Sequence, residues 1–450
     1  MALKQIDQDT IQPGGKRGLP GRTAFTIVNE NAAETEQRLS ALEGGSGGVS
    51  AAIDALEAGQ ASLQEGQLLL RGTLESARTE LQGSIESEAD ARADSDAGLG
   101  ARIDAEQIAR QQAVDGLAAM VGLIPGKNVL INGAMGIWQR GVSFAAAASA
   151  RYTVDRWQAW GAGSTIAVAR QAMDGVVLPP QPRRPGKPAH AAAVTVVSVP
   201  GANNFALFQQ QVEDARTLSN GKATFSGWVY CGQASVVGFS VSQVFGTGGS
   251  AAVAMPAQVR NLAANSWNFV TVTFDVPSVE GKAIGPNSSL CMNIWMDAGS
   301  SSGASAVGQR SGTYWFTGMQ LEAGGLATGF EVRHPAAEFA LCQRYFATSY
   351  PPGTGLGVGA APGRLAFAIQ SAGVSPFLGY ALRFPVQMRA APAVTVYAAA
   401  NGAAGQVSQS ADGSAPATVR LIAPAGCEVN WGNDSGQFGG WFHYSADAEL

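Results

Sequence analysis

The chain has 450 residues, room for about three domains, yet charged residues are only 14% against the ~25% of a typical soluble domain. Glycine, at 57 residues, is nearly twice its usual share. A net charge of −5 argues against the basic face that nucleic acid needs and against a polybasic membrane patch.

Residues 1–35 are polar and broken by Gln12-Pro13-Gly14-Gly15 and Gly18-Leu19-Pro20-Gly21. They hold too little apolar content to fold alone, and read as a tail or as a peptide ordered only on a partner. The opening Met1-Ala2-Leu3-Lys4-Gln5-Ile6-Asp7 has no long apolar run, so no secretory signal is expected. No stretch of ~18 apolar residues follows anywhere, so no transmembrane helix is expected either.

Residues 36–122 contain no aromatic residue. Apolar residues recur at Leu39, Leu42, Ile53, Leu56, Leu63, Leu70, Leu74, Leu81, Ile85, Leu99, Ile103, Val114, Leu117 and Val121. Steps of 3, 4 and 7 are a coiled-coil seam. The 11-residue steps from Leu70 to Leu81 and from Leu74 to Ile85 unwind it locally, and polar residues such as Arg92 interrupt it. A helix with one apolar stripe needs partner helices, and at ~1.5 Å per residue it reaches ~100 Å or more. Ile and Leu mix at the seam, which leaves dimer against trimer open. The Gly/Ser run at 44–48 is expected to hinge the first turns, and Pro125-Gly126 to end the helix.

From 127 to 335 the texture is β: short alternating runs rich in Val, Thr, Phe and Trp, separated by Gly, Asn, Pro and Ser. Strands are expected at 164–169, 192–199, 204–212, 222–231, 236–244, 267–276, 290–296 and 313–321, with long loops at 245–260 and 298–312. Eight strands without intervening helices predict an antiparallel sandwich. Trp138, Trp157, Trp228, Trp267, Trp295 and Trp315 are expected mainly as its core filler, and Arg140, Asp155 and Arg156 as braces. Residues 336–450 open with a short helix at 336–346, cross a Gly/Pro-rich bridge at 351–363, and continue into strands near 365–370, 379–384, 393–397, 417–422 and 440–445. This second β unit reads as a distal knob.

Asn128-Val129-Leu130-Ile131-Asn132-Gly133, Ile137-Trp138-Gln139-Arg140-Gly141 and Tyr152-Thr153-Val154-Asp155-Arg156-Trp157 open this β region. Tyr314-Trp315-Phe316-Thr317-Gly318-Met319-Gln320-Leu321-Glu322, Thr328-Gly329-Phe330-Glu331-Val332-Arg333 and Leu341-Cys342-Gln343-Arg344-Tyr345-Phe346 close it. Together they resemble the β-sandwich of bacteriophage tail fibre proteins, a jelly roll like that of carbohydrate-binding modules. Ala2-Leu3-Lys4-Gln5-Ile6, Thr23-Ala24-Phe25 and Asn29-Glu30-Asn31 are similar to fibre N-termini that dock on the tail. The resemblance implies a homotrimer in the virion tail, docked on tail or baseplate proteins near Ile6, Phe25 and Ile27 and adhering to a host surface glycan or protein.

Little in the chain points to chemistry. Carboxylates after residue 127 are few, no Gly-x-Ser-x-Gly elbow or P-loop occurs, and no long β-helix repeat offers a platform for cutting polysaccharide. No catalytic residue and no cofactor is expected. Cys231, Cys291, Cys342 and Cys427 lie far apart and only three histidines exist, so reduced, buried thiols are expected, with no metal site, in a chain made in the host cytoplasm. Receptor contact is placed in the last segment, where Trp431, Asn433, Asp434 and Phe438 mix rings with small polar residues.

The fold expected is therefore mainly β with an N-terminal coiled coil. In an elongated fibre, a docking segment (1–35) precedes a coiled-coil shaft (36–122), a jelly-roll sandwich (127–335) and a C-terminal β receptor-binding knob (336–450). The function expected is adhesion to the host. The rivals are a structural spacer whose recognition lies in another subunit, and a polysaccharide depolymerase.

Overall fold

The computed structural model describes residues 32–37, 49–121, 126–179, 188–368, 377–409, 413–432 and 439–450. The chain divides into two compact units, Met1–Gln112 and Ala113–Leu450. The first is dominated by one continuous helix, α1 (Val49–Val121), of 73 residues. Among the described residues its apolar stripe is exposed: Leu74 and Leu81 are each 62% exposed, and Ile85, Leu99 and Ile103 are exposed as well. The expected hinge at 44–48 lies outside the described residues.

The second unit begins with a β-sandwich. Its strands are β1 (Ser143–Ala147), β2 (Arg151–Tyr152), β3 (Gln158–Ala162), β4 (Thr165–Ala172), β5 (His190–Val197), β6 (Phe205–Glu213), β7 (Gly221–Cys231), β8 (Ser235–Val244), β9 (Val253–Ala254), β10 (Gln258–Leu262), β11 (Ser266–Val276), β12 (Ser289–Ala298) and β13 (Gly312–Ala323). One sheet runs β1-β4-β5-β13-β7-β11; the other runs β10-β8-β12-β6-β3-β2, with β9 on β8. All pairings are antiparallel, so strict alternation sends one set of side chains inward. Phe208 of one sheet stacks on Phe316 of the other at 5.9 Å, and Phe239 meets Phe225 at 5.1 Å. Trp138 and Trp157 complete this core.

The motifs that bracket the sandwich fasten its two ends together. Glu331 accepts from the backbone of Gly126 and Asn128, each at 2.7 Å, and Asn128 Oδ1 accepts from Leu130 and Leu321. Arg333 donates to the Leu130 carbonyl at 3.0 Å. Gly133 lies where a Cβ would stand 2.0 Å from the Met319 carbonyl oxygen, so only glycine permits this approach.

Past the sandwich, α2 (Pro335–Gln343) starts at His334, whose side chain accepts from the Ala336 N–H. The C-terminal strands follow: β14 (Phe346–Thr348), β15 (Leu365–Ala368), β16 (Phe377–Arg383), β17 (Ala393–Ala398), β18 (Gln406–Ser408), β19 (Ser414–Ala423), β20 (Gly426–Gly432) and β21 (Gly439–Asp447). They form an eight-stranded sheet with the path β14-β21-β18-β19-β20-β16, β15 and β17 also pairing with β21. Its own core gathers Leu378, Leu382, Val396, Val429, Trp431, Phe442 and Tyr444. A buried ionic knot joins it to the sandwich. Arg140 reaches Asp155 and Glu449, each at 3.1 Å, and Arg156 also pairs with Glu449. The two guanidinium groups lie over Phe346 and Tyr345 at 3.7 and 3.4 Å. Arg140, Asp155 and Arg156 thus brace the fold, as expected. The four cysteines are free and buried, again as expected.

Candidate functional site

The core takes Ala159, Ala206, Phe208, Phe239, Val241, Met292 and Ile294. Alternation then leaves an outward set on four adjacent strands of the seven-stranded sheet. Register places Trp160 beside Leu207, Leu207 beside Trp295, and Trp295 beside Gly238. The next row is Gln158, Gln209, Asn293 and Ser240. Behind it come Gln211, Cys291 and Ser242.

Three rings stand at one end of this face. Trp160, 39% exposed, meets Phe205 edge to face at 5.3 Å, and Phe205 meets Trp295 at 5.7 Å. The Trp295 ring is anchored, since its Nε1–H donates to Ser240 Oγ at 2.9 Å. The 299–311 segment packs beside it: Val307 occupies the space over Gly238, where an added Cβ would stand 2.5 Å from its side chain. At the opposite end Gln211 donates to the Leu450 carbonyl at 3.4 Å, so the chain terminus borders the face.

Between these ends the polar groups are partly satisfied. Gln209 donates to Gln158 Oε1, and Asn293 Nδ2 donates to Ser240 and Ser242 at 3.3 and 3.4 Å. Among the described residues, Asn293 Oδ1, Gln209 Oε1 and Gln158 Nε2 keep no intramolecular partner. Leu207, Gln209, Ser240 and Asn293 are buried, so the reachable part of the face is Trp160, the half-buried Phe205 and Trp295 rings and the half-buried Gln158 amide; rings beside an amide can take one face of a hydroxylated, partly apolar ligand such as a pyranose. Burial raises the Cys291 thiol, which keeps it protonated and inert on this face. Asp297, on the same strand as Trp295, is fully buried and accepts from Ser198 and the Arg310 N–H.

The other sheet also carries rings outside. Trp267, Tyr230 and Trp315 step across β11, β7 and β13, but Tyr230 and Trp315 stack on each other at 4.7 Å. One face of each of these two rings is thereby covered by the other. Met173 and Leu178 close over the neighbouring Trp228.

The residues singled out in sequence fall elsewhere. Trp431 is 1% exposed in β20, packed edge to face on Phe367 and Phe442 at 6.1 and 5.9 Å. It is a core residue, in a strand and not in a loop, and no ligand can stack on it. Asn433, Asp434 and Phe438 lie outside the described residues, as do Ile6, Phe25 and Ile27. Of the six tryptophans read as core, Trp138, Trp157 and Trp228 are buried, while Trp267, Trp295 and Trp315 are half-buried on outer faces. Trp160 and the amide row were not singled out at all. The signal for them is the pattern Gln158-Ala159-Trp160 facing Leu207-Phe208-Gln209, in which the non-core positions of adjacent strands are rings and amides.

No family model and no curated protein sequence matches the chain. Solved structures do resemble part of it. A carbohydrate-binding module of the β-sandwich superfamily, described for its promiscuous specificity, aligns at TM-score 0.25 and 10% identity over 38% of this chain and 58% of that one. The family 11 carbohydrate-binding module from Clostridium thermocellum, solved with a β-1,3-1,4-mixed-linked tetrasaccharide, aligns at TM-score 0.25 and 10% identity over 43% of this chain and 99% of that one. The enzymatically active domain of bacteriophage CBA120 tailspike protein 4 aligns at TM-score 0.23 and 12% identity over 44% of this chain and 22% of that one. What those proteins bind or cleave is a property of theirs.

Proposed function

We propose that this chain is a subunit of a bacteriophage tail fibre that self-associates through α1 and holds the virion to a glycan on the bacterial surface. The observation that carries the glycan reading is the exposed Trp160 ring beside Phe205, Trp295 and the Gln158 amide on the outer side of the seven-stranded sheet. The uncovered seam of α1 supports self-association. Burying each Leu or Ile of that seam against another copy is worth roughly 1.5–3 kcal/mol. Several linked copies turn weak sugar sites into a firm hold.

The face reads as a binding surface because it offers rings, amides and hydroxyls. Paired carboxylates, which glycosidic hydrolysis requires, are not found on it among the described residues. The N-terminal residues Ile6, Phe25 and Ile27 take the tail side in this reading, on the likeness of that segment to docking peptides. The test is gold-labelled antibody against this chain on intact virions, with adsorption measured after preincubating host cells with the full-length protein. Label at the tail and blocked adsorption are expected. Label at the tail with undiminished adsorption leaves a structural spacer and ends the adhesive reading.

A further inference from the structure

The strand trio β19-β20-β16 carries a cavity of about 460 Å³ on its outer side, lined by Gly379, Ala381, Arg383, Leu421, Gly426 and Glu428 among others. Leu378 and Leu382 turn inward to the core, so Gly379, Ala381 and Arg383 turn outward. In register they face Asn430, Glu428 and Gly426.

Gly379 is the centre of the arrangement. Asn430 Oδ1 and Glu428 Oε1 lie 3.1 and 3.4 Å from where its Cβ would stand. The missing side chain leaves two oxygens of the next strand converging over bare backbone. Asn430 Oδ1 is buried and accepts no hydrogen bond. Glu428 faces Arg420 across the ladder yet forms no ion pair with it or with Arg383 among the described residues. Glu428, half-buried in the lining, therefore keeps acceptor capacity that a ligand hydroxyl can use. At the mouth, Leu421 stands 75% exposed at φ 50°, a left-handed conformation unfavourable for leucine. The bulge between Arg420 and Ala423 holds it there. Such strain is retained where it places a side chain for use.

We propose that this cavity is a second saccharide subsite that takes one uncharged pyranose. A sugar hydroxyl donates to Glu428 Oε1, Arg383 donates to a sugar oxygen, and a C–H face lies on Leu421 and Ala381, all of which line the cavity. The lining carries one cation, Arg383, and one anion, Glu428, whose opposite charges suit an uncharged ring. The subsite borrows from the proposed function only the class of ligand, since it shares no residue with the Trp160 face.

The test uses the full chain with Trp160→Ala, so that the first face is silent, and reads saturation transfer by NMR to glucose, galactose, N-acetylglucosamine and, as a cationic control, glucosamine. Transfer to at least one uncharged sugar is expected. Glu428→Gln in that background weakens it about tenfold, as loss of a hydrogen bond to a charged group does, and Gly379→Val abolishes it. Unchanged melting verifies both folds, and the isosteric Glu428→Gln decides should Gly379→Val fail to fold. Sugar binding by the parent chain but not by Trp160→Ala overturns the subsite and leaves the first face standing. Binding of glucosamine alone, or undiminished binding by both cavity variants, overturns it as well.

Discussion

Glu449, the penultimate residue, should be one of the most costly single positions in the chain. Its carboxylate lies between Arg140 and Arg156, and all three side chains are at most 7% exposed. Glu449→Gln keeps the shape and removes the charge. Arg140 retains Asp155, but Arg156 keeps only the Gln211 carbonyl and the Tyr345 ring. Breaking one partner out of a buried pair costs about 3–5 kcal/mol, because the charge left behind stays desolvated. The β unit spans 338 residues, Ala113–Leu450. Its unfolding entropy is then roughly 0.7 kcal/mol/K, so the melting point should fall by about 4–7 °C. Asp447→Asn is the internal control: Asp447 also reaches Arg140, at 3.4 Å, but is 43% exposed. Its loss should cost under about 1 kcal/mol and barely move the melt. Scanning calorimetry of the full-length wild type and both variants is sufficient. Equal shifts for the two, or none for Glu449→Gln, would refute the idea that a buried knot holds the C-terminal sheet to the sandwich.

Other consequences are as direct. Leu81→Asp, on the exposed stripe of α1, should dissociate the proposed oligomer while leaving the β unit's melt unchanged; sedimentation velocity showing one mass for both proteins contradicts the seam. Gly133→Val should leave little folded protein, because its side chain would run into the Met319 carbonyl; a soluble variant with wild-type melting contradicts that close approach. Burial pushes the Asp155 carboxyl up to about 6, against the pull of Arg140 and the Gln139 N–H. A folded value above the unfolded one means the folded protein holds this proton more tightly. The stability it adds is therefore present below about pH 4 and lost as pH rises through about 6. The melting difference between wild type and Asp155→Asn should accordingly be larger in favour of wild type at pH 4 than at pH 7, and a difference independent of pH contradicts this.

Periodicity made much of the architecture legible. Absent aromatics and steps of 3, 4 and 7 marked α1, and the eight sandwich strands expected from alternation fall on observed strands with ends shifted by three residues at most. What alternation missed are elements too short or too polar to show it. β9 lies within, and β10 begins within, the stretch 245–260 expected as loop, and β2 and β9 are two residues each. In the C-terminal sheet β20 was missed because Gly426–Gly432 mixes Cys, Glu, Asn and Trp, and its meaning comes only from β16 and β19 on either side. The candidate site was less legible still. A ring beside Gly and Asn reads alike whether it lies in a loop or in a core, and for Trp431 packing against Phe367 and Phe442 settles the matter. Conversely, Trp160, Asn293 and Gln209 belong to three different strands, and only register brings them together.

The account depends most on the outward row of the seven-stranded sheet. The most direct measurement is titration of the full-length protein against surface polysaccharide purified from the host bacterium, wild type beside Trp160→Ala. An aromatic anchor of a binding contact is typically worth about 2 kcal/mol or more, or roughly thirtyfold. The account predicts saturable binding by the wild type and at least that loss in the variant, with the melting point unchanged. Equal affinities for the two proteins, or no binding by either, would contradict it.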